Sequence, residues 1–159
     1  MKRIDKIINN LEFERCIELN KECEKQRIFC KHGMEHLVDT CRLMHIISLE
    51  EELYFSKEIL YACGLLHDIG KWKQYLDKTP HEIYGAEIAE RILKECDFND
   101  CEVIEITTAI RNHRKKDNEL YSLSYLLYKS DKASRKCYLC KVEKECKWSK
   151  DKKNLKLLY

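Results

Sequence analysis

Only four glycines and one proline interrupt 159 residues. A chain with so few breakers, and rich in Leu, Ile, Glu and Lys, is committed to helix rather than to a many-turned sheet. Its length suits one domain with one core. Charged residues make up 36% of the chain, yet the formal net charge is only +2. Charges of both signs alternate along the sequence, as on solvated helix faces. A nucleic-acid surface would concentrate them in a basic stripe. The densest basic stretch, 141–156, is broken by Glu143, Glu145 and Asp151, so no dedicated nucleic-acid surface is expected. Near the start, Lys2 and Arg3 are followed by no long apolar run. Neither a signal peptide nor a membrane span is therefore expected, and the expected location is the cytoplasm. Ten cysteines in that reducing setting should form no disulfide framework.

Helices are expected over about 4–26, with a break near Asn9-Asn10, and over 32–49, 57–70, 82–96, 100–114 and 122–136. Ser56 is a suitable N-cap, Asn99 and Glu102 have capping-box spacing, and Gly70 could stop its helix in the left-handed conformation. A loop carries Asp77 to Pro80. The end, 154–159, forms either a short helix or a packed tail.

The histidines fall on apolar faces. His81, Gly85, Ala89, Ile92 and Cys96 form one helical stripe, and Val103, Ile106, Ile110 and His113 form another. Leu123, Leu127 and Asp131 put a carboxylate on an apolar face. His67 and Asp68 follow a run, Ala62-Cys63-Gly64-Leu65-Leu66, too apolar to be exposed. His36 shares a face with Thr40, Leu43 and Ile47. Any one of these could be an ordinary core or surface residue. Six together are better explained by shared cations, because a buried carboxylate is expensive unless paired or metal-bound. Imidazole and carboxylate suit Fe, Mn, Ni, Zn or Co. Adjacent helical residues diverge by about 100°, so His67 and Asp68 need a local distortion to serve one centre.

The segment Ala62 to Lys71, with His67-Asp68-Ile69-Gly70-Lys71 at its end, resembles the signature of the HD superfamily of metal-dependent phosphohydrolases. His36 resembles that family's first ligand and Asp131 its last. His81 and His113 resemble the extra histidines of members holding two metals. The resemblance spans 31–136 and implies an all-α, HD-domain helical bundle. Residues 1–30 would be N-terminal helices packing on it, and 137–159 a cysteine-bearing tail of the same domain. It further implies that His36, His67, Asp68 and Asp131 bind a first metal, and that Asp68 bridges to a second held by His81 and His113. The implied activity is hydrolysis of a small phosphate ester, such as a nucleotide or a dinucleoside polyphosphate, by a metal-activated water. Asp68 and Lys71 would be catalytic. Candidate phosphate contacts are His32, Arg114, Lys132 and Arg135. A di-iron oxygenase built on the same ligands, and a non-catalytic nucleotide or redox sensor, are the competing functions.

Cys137, Cys140 and Cys146 follow a C-x2-C-x5-C spacing in a polar segment, which suits zinc or an iron–sulfur cluster. Cys30 is the candidate fourth ligand. Reduced, unbound thiols are the alternative. Cys16, Cys23, Cys41, Cys63, Cys96 and Cys101 are expected to pack as small hydrophobes.

Overall fold

The computed structural model describes residues 1–116 and 119–159. It contains eight α-helices, α1 (Lys2–Ile8), α2 (Leu11–Cys23), α3 (Met34–Glu50), α4 (Lys57–Leu66), α5 (Lys71–Asp77), α6 (His81–Glu95), α7 (Asp100–Asn112) and α8 (Leu123–Ala133), followed by three short 3-10 turns. No strand occurs among the described residues. The fold is all-α, as the scarcity of breakers requires.

Local chemistry fixes the helix starts. The Asn10 side chain accepts from the Glu12 and Phe13 amides and so separates α2 from α1. Ser56 caps α4, Ser122 caps α8, and Asn99 with Glu102 forms a reciprocal capping box on α7. Helix α4 is the hub, packing against α3, α7 and α1. Leu60, Cys63, Leu65 and Leu66 of α4 are buried with Leu37, Met44 and Ile47 of α3, Ile106 and Ile110 of α7, and Leu126 and Leu127 of α8. Each such side chain contributes roughly 1.5–3 kcal/mol by leaving water.

Two close approaches rely on glycine. A Cβ on Gly64 would stand 2.7 Å from Cys41 Sγ, so α3 and α4 nearly touch there. One on Gly70 would stand 2.6 Å from both the Gly85 nitrogen and the His81 carbonyl oxygen. That contact brings the start of α6 against the turn after α4.

Several expectations need correction. The helix expected to run to Gly70 stops at Leu66, and Gly70 has φ −83°, outside the left-handed region. Glycine is needed there for space rather than for handedness. Helix α5 was not expected from the sequence, and it is Lys78, at φ 69°, that ends it. No helix forms over 154–159. Cys101 is exposed and Cys23 only half-buried, so neither is core filler, whereas Cys16, Cys41, Cys63 and Cys96 are. No helix among the described residues is long and apolar enough to cross a membrane.

Candidate metal centre

The six residues singled out in the sequence converge from five helix ends. His67 and His113 use the same local device. Each lies just beyond the last turn of its helix, α4 or α7, and its Nδ1 donates to the carbonyl three residues back: Gly64 O at 2.7 Å for His67, Ile110 O at 2.7 Å for His113. This uses a carbonyl in the last turn of the helix as an acceptor for the ring and turns Nε2 away from the helix. His81 opens α6, and its Nδ1 lies 2.6 Å from Gln74 Oε1. His36, in the first turn of α3, has Nδ1 3.1 Å from Ser134 Oγ. That hydroxyl donates to the Asp131 carbonyl, so it accepts from His36.

Asp68 stands between the two halves. Its Oδ2 lies 3.4 Å from His67 Nε2 and 3.6 Å from His36 Nε2. Its Oδ1 lies 3.0 Å from His81 Nε2 and 3.6 Å from His113 Nε2. Asp131 Oδ1 joins the first half, 3.6 Å from His36 Nε2. His67, Asp68, His81, His113 and Asp131 are buried and His36 is half-buried. The distortion needed for His67 and Asp68 to serve one place is the turn between α4 and α5.

The arrangement fits bound cations. A neutral imidazole whose Nδ1 is protonated presents a bare lone pair at Nε2. The hydrogen-bond partners assign that tautomer to all four histidines. Yet His36 Nε2 faces His67 Nε2 at 3.2 Å, and His81 Nε2 faces His113 Nε2 at 3.2 Å. Lone pairs repel at that range unless a positive charge lies between them. Asp68 Oδ1 is buried and receives no well-aligned hydrogen bond. A divalent ion on each side of Asp68 would satisfy these groups together. Among the described residues, two groups have three or more potential ligand atoms mutually within 4.8 Å: His36, His67 and Asp68, and Asp68, His81 and His113. The cysteines do not form a third such group.

Electrostatics favour the charged carboxylates. Burial pushes the Asp68 carboxyl up, but Lys71, His67, His32 and His113 outweigh it and hold it well below the usual range. Asp131 is likewise raised by burial and lowered further by Lys132 and the facing histidines. Lys71 Nζ lies 3.8 Å from Asp68 Oδ1 and 3.4 Å from His81 Nε2, within the site. His32 is in the site too, with Nε2 3.9 Å from Asp68 Oδ2.

The remaining basic candidates are engaged in different ways. Lys132 Nζ pairs with Asp131 Oδ2. Arg114 pairs with Glu82, whose Oε2 lies 3.3 Å from His81 Nδ1. Arg135 stacks over Trp148, 4.1 Å from the ring centroid, and donates to Lys152 O.

Sequence reasoning missed the residues that hold this site in place. Asn20, fully buried on α2, donates to Asp68 O at 3.1 Å and accepts from Trp72 N at 2.6 Å. It thereby clamps the turn that carries Asp68. Glu24, one turn further on and also buried, accepts from His32 N at 2.7 Å and Tyr75 OH at 2.6 Å, and pairs with His32 Nδ1. A signal was present: Phe13, Cys16, Asn20 and Glu24 step along one helical face, so the two polar residues extend an apolar stripe, as His113 does on α7.

Comparison with known proteins agrees with this geometry. The HD domain profile matches residues 33–143, and the chain belongs to that family, whose members are generally metal-dependent phosphohydrolases. A protein of Clostridium beijerinckii described as uncharacterized is 43% identical over 159 residues, covering both chains completely. Ribonuclease Y of Mycoplasma genitalium is 33% identical over 95 residues, which is 60% of this chain but 17% of that protein. No solved structure matches the chain significantly.

Proposed function

We propose that this protein hydrolyses a small phosphate ester, with nucleotides and dinucleoside polyphosphates as the leading substrate class. The observation that carries the proposal is Asp68, whose two oxygens face two different histidine pairs. His36, His67, Asp68 and Asp131 would hold one divalent ion, and Asp68, His81 and His113 a second. Bound there, such ions supply an activated water and neutralise charge building on a phosphoryl group.

The chain's own groups have separable tasks. The carbonyl, amide and hydroxyl partners of Nδ1 keep the four imidazoles aimed inward. Lys71, beside Asp68 and His81, offers a cation to a phosphoryl oxygen, and His32 offers a second polar contact from the opposite side. Lys132 is placed to exchange its contact with Asp131 for one with a phosphate. The likeness to part of Ribonuclease Y supports a phosphoester bond as the target. The substrate favoured here is smaller than RNA, because the chain's charges are mixed in sign with no basic stripe.

The test is metal analysis of protein purified without chelator, followed by chromatographic detection of the hydrolysis products of nucleoside mono-, di- and triphosphates and dinucleoside polyphosphates with Mn, Ni, Fe, Zn or Co. Turnover by the wild type that Asp68→Asn abolishes is expected. Metal-loaded protein that hydrolyses none of them would refute the proposal. Oxygen uptake by the iron form would move the reading to an oxygenase.

A further inference from the structure

Glu24, buried at the C-cap of α2, spreads its carboxylate over three donors. Oε2 accepts from the His32 amide at 2.7 Å. Oε1 accepts from Tyr75 OH at 2.6 Å and pairs with His32 Nδ1. Tyr75 OH also lies 3.5 Å from His32 Nδ1, but its proton is given to Glu24. Both oxygens beside Nδ1 are therefore acceptors toward it, and that nitrogen carries the ring proton. In the neutral ring Nε2 is then a bare acceptor.

That nitrogen faces another acceptor, Asp68 Oδ2, at 3.9 Å. A direct N–H···O bond would bring the two atoms to about 2.7–3.2 Å, so no proton of their own joins them. The separation suits a shared water. Two acceptors each about 2.8 Å from a water oxygen stand roughly 4.4 Å apart when both O–H bonds point straight at them, and 3.9 Å needs only modest bending.

We infer that Glu24 and Tyr75 hold His32 so that its Nε2 and Asp68 Oδ2 together bind one water, the water that hydrolysis would consume. The role of that water rests on the hydrolytic proposal, whereas its binding does not. A water that donates both hydrogens in this way keeps its lone pairs turned outward, available to an ion or to phosphorus. A fully ionised phosphoryl oxygen has no proton to offer a bare nitrogen. His32 thus serves the water, and Lys71 and Lys132 are left to serve the phosphate.

Two further observations agree. The side chains of His32, His36 and Lys71 are 14%, 14% and 15% exposed, against 2% for His81 and His113. Solvent therefore reaches the centre along the edge where His32 stands. His32 also lies outside both groups whose ligand atoms are mutually within 4.8 Å. It is set back from the ligands by the width that a water would fill. Glu24 and Tyr75 touch neither the six ligands nor this water, so they are positioning residues that act through His32.

The test uses full-length protein, loaded with zinc for structure and with manganese for kinetics. Ring-nitrogen NMR should show His32 protonated at Nδ1 and bare at Nε2. A high-resolution crystal structure should show one water within about 3.2 Å of both His32 Nε2 and Asp68 Oδ2. With ATP and diadenosine tetraphosphate as probes, His32→Leu should lower kcat about 10–100-fold, with KM and metal content unchanged within about twofold. His32→Gln, which still offers an acceptor, should recover part of the loss, and Tyr75→Phe should lower kcat less, again at constant KM. Should His32→Leu fail to fold, Tyr75→Phe and the two wild-type measurements decide. A protonated Nε2, a crystal structure with no water in that place, or an ion bound directly to Nε2 would overturn the inference. So would a rise in KM at unchanged kcat in His32→Leu, which would make the ring a substrate contact. Failure of the wild type to cleave any nucleotide would remove the hydrolytic reading alone, and the NMR and crystallographic results would still decide whether His32 holds the water.

Discussion

Glu24 holds His32 at two points, the backbone amide and ring Nδ1, and leaves the opposite ring nitrogen facing Asp68 Oδ2 at 3.9 Å. The two partners shift in ways that need separating. Burial pushes the Glu24 carboxyl up, but His32 and Tyr75 bring it down to about 2. Burial lowers the His32 imidazole, although Asp68 and Glu24 oppose this. Near neutrality the pair is therefore a carboxylate with a neutral imidazole, and the full attraction develops once His32 protonates.

The stability of chelator-treated protein should follow from those directions. His32 and His81 both have pKa values depressed below 6.5, so the unfolded chain binds protons first and stability falls as pH drops below 6.5. Glu24 contributes stability above its ordinary value of 4.5, and that contribution is lost as pH falls towards 2. Glu24→Gln should lower stability at pH 7 by roughly 1–3 kcal/mol and flatten the dependence below pH 4.5. Urea unfolding from pH 7 to pH 3 measures both. An unchanged acid slope in Glu24→Gln would count against this account.

Asp68→Asn should weaken both metals, because each carboxylate oxygen faces a different histidine pair. The expected loss exceeds about 100-fold in affinity at each site, more than removal of an outer partner causes. Metal titration by calorimetry checks it. Loss confined to one site would show that the oxygens do not serve separate ions.

Ser134→Ala and Gln74→Ala should act on opposite halves. The first removes the hydroxyl at His36 Nδ1, and the second removes the nearer partner of His81 Nδ1, leaving Glu82 Oε2 at 3.3 Å. Each should weaken one of the two metals by about 10–100-fold and leave the other nearly unchanged. Equal effects of both variants on both metals would contradict the division.

Gly70→Ala and Gly33→Ala make a matched pair. A Cβ on Gly70 would meet backbone at 2.6 Å, whereas one on Gly33 meets nothing within 4 Å. The Gly70 variant should lose roughly 1–3 kcal/mol, and its His81 should shift enough to weaken the second metal. The Gly33 variant should melt within a degree or two of the wild type. Thermal unfolding of the two side by side is sufficient.

Asn20→Ala removes both hydrogen bonds of a fully buried amide and strands the Trp72 N–H, while the Asp68 carbonyl keeps its bond from the Lys71 amide at 3.0 Å. A cost of roughly 1–3 kcal/mol is expected from the one unsatisfied group, with metal binding weakened because the turn carrying Asp68 loosens. Amide exchange at Trp72 should accelerate. Wild-type protection there would mean that the turn holds itself.

Much of the architecture was legible because helix periodicity and capping are local. Asn99 with Glu102, Ser56 and Ser122 announce their helices, and all six proposed ligands lie on apolar stripes or beside an apolar run. The missing parts depend on pairings between distant segments. Nothing near Gly70 says that Gly85 will press against it, so its role was read as backbone handedness rather than space. Helix α5 is only seven residues long and has no fully buried residue, so its short Trp72-Tyr75-Leu76 stripe is easily passed over. Asn20 and Glu24 look like ordinary polar positions on a charged helix until the turn they support is folded beside them.

The clamp formed by Asn20 and Glu24 has a practical consequence for anyone trimming the chain. The family match begins at residue 33, so a fragment cut to that boundary keeps all six histidine and aspartate ligands proposed for the metals but discards His32 and the Asn20 amide that braces the turn carrying Asp68. Such a fragment would retain the diagnostic signature while losing the scaffolding beneath it. Inactivity of so shortened a protein would then not report missing metal ligands.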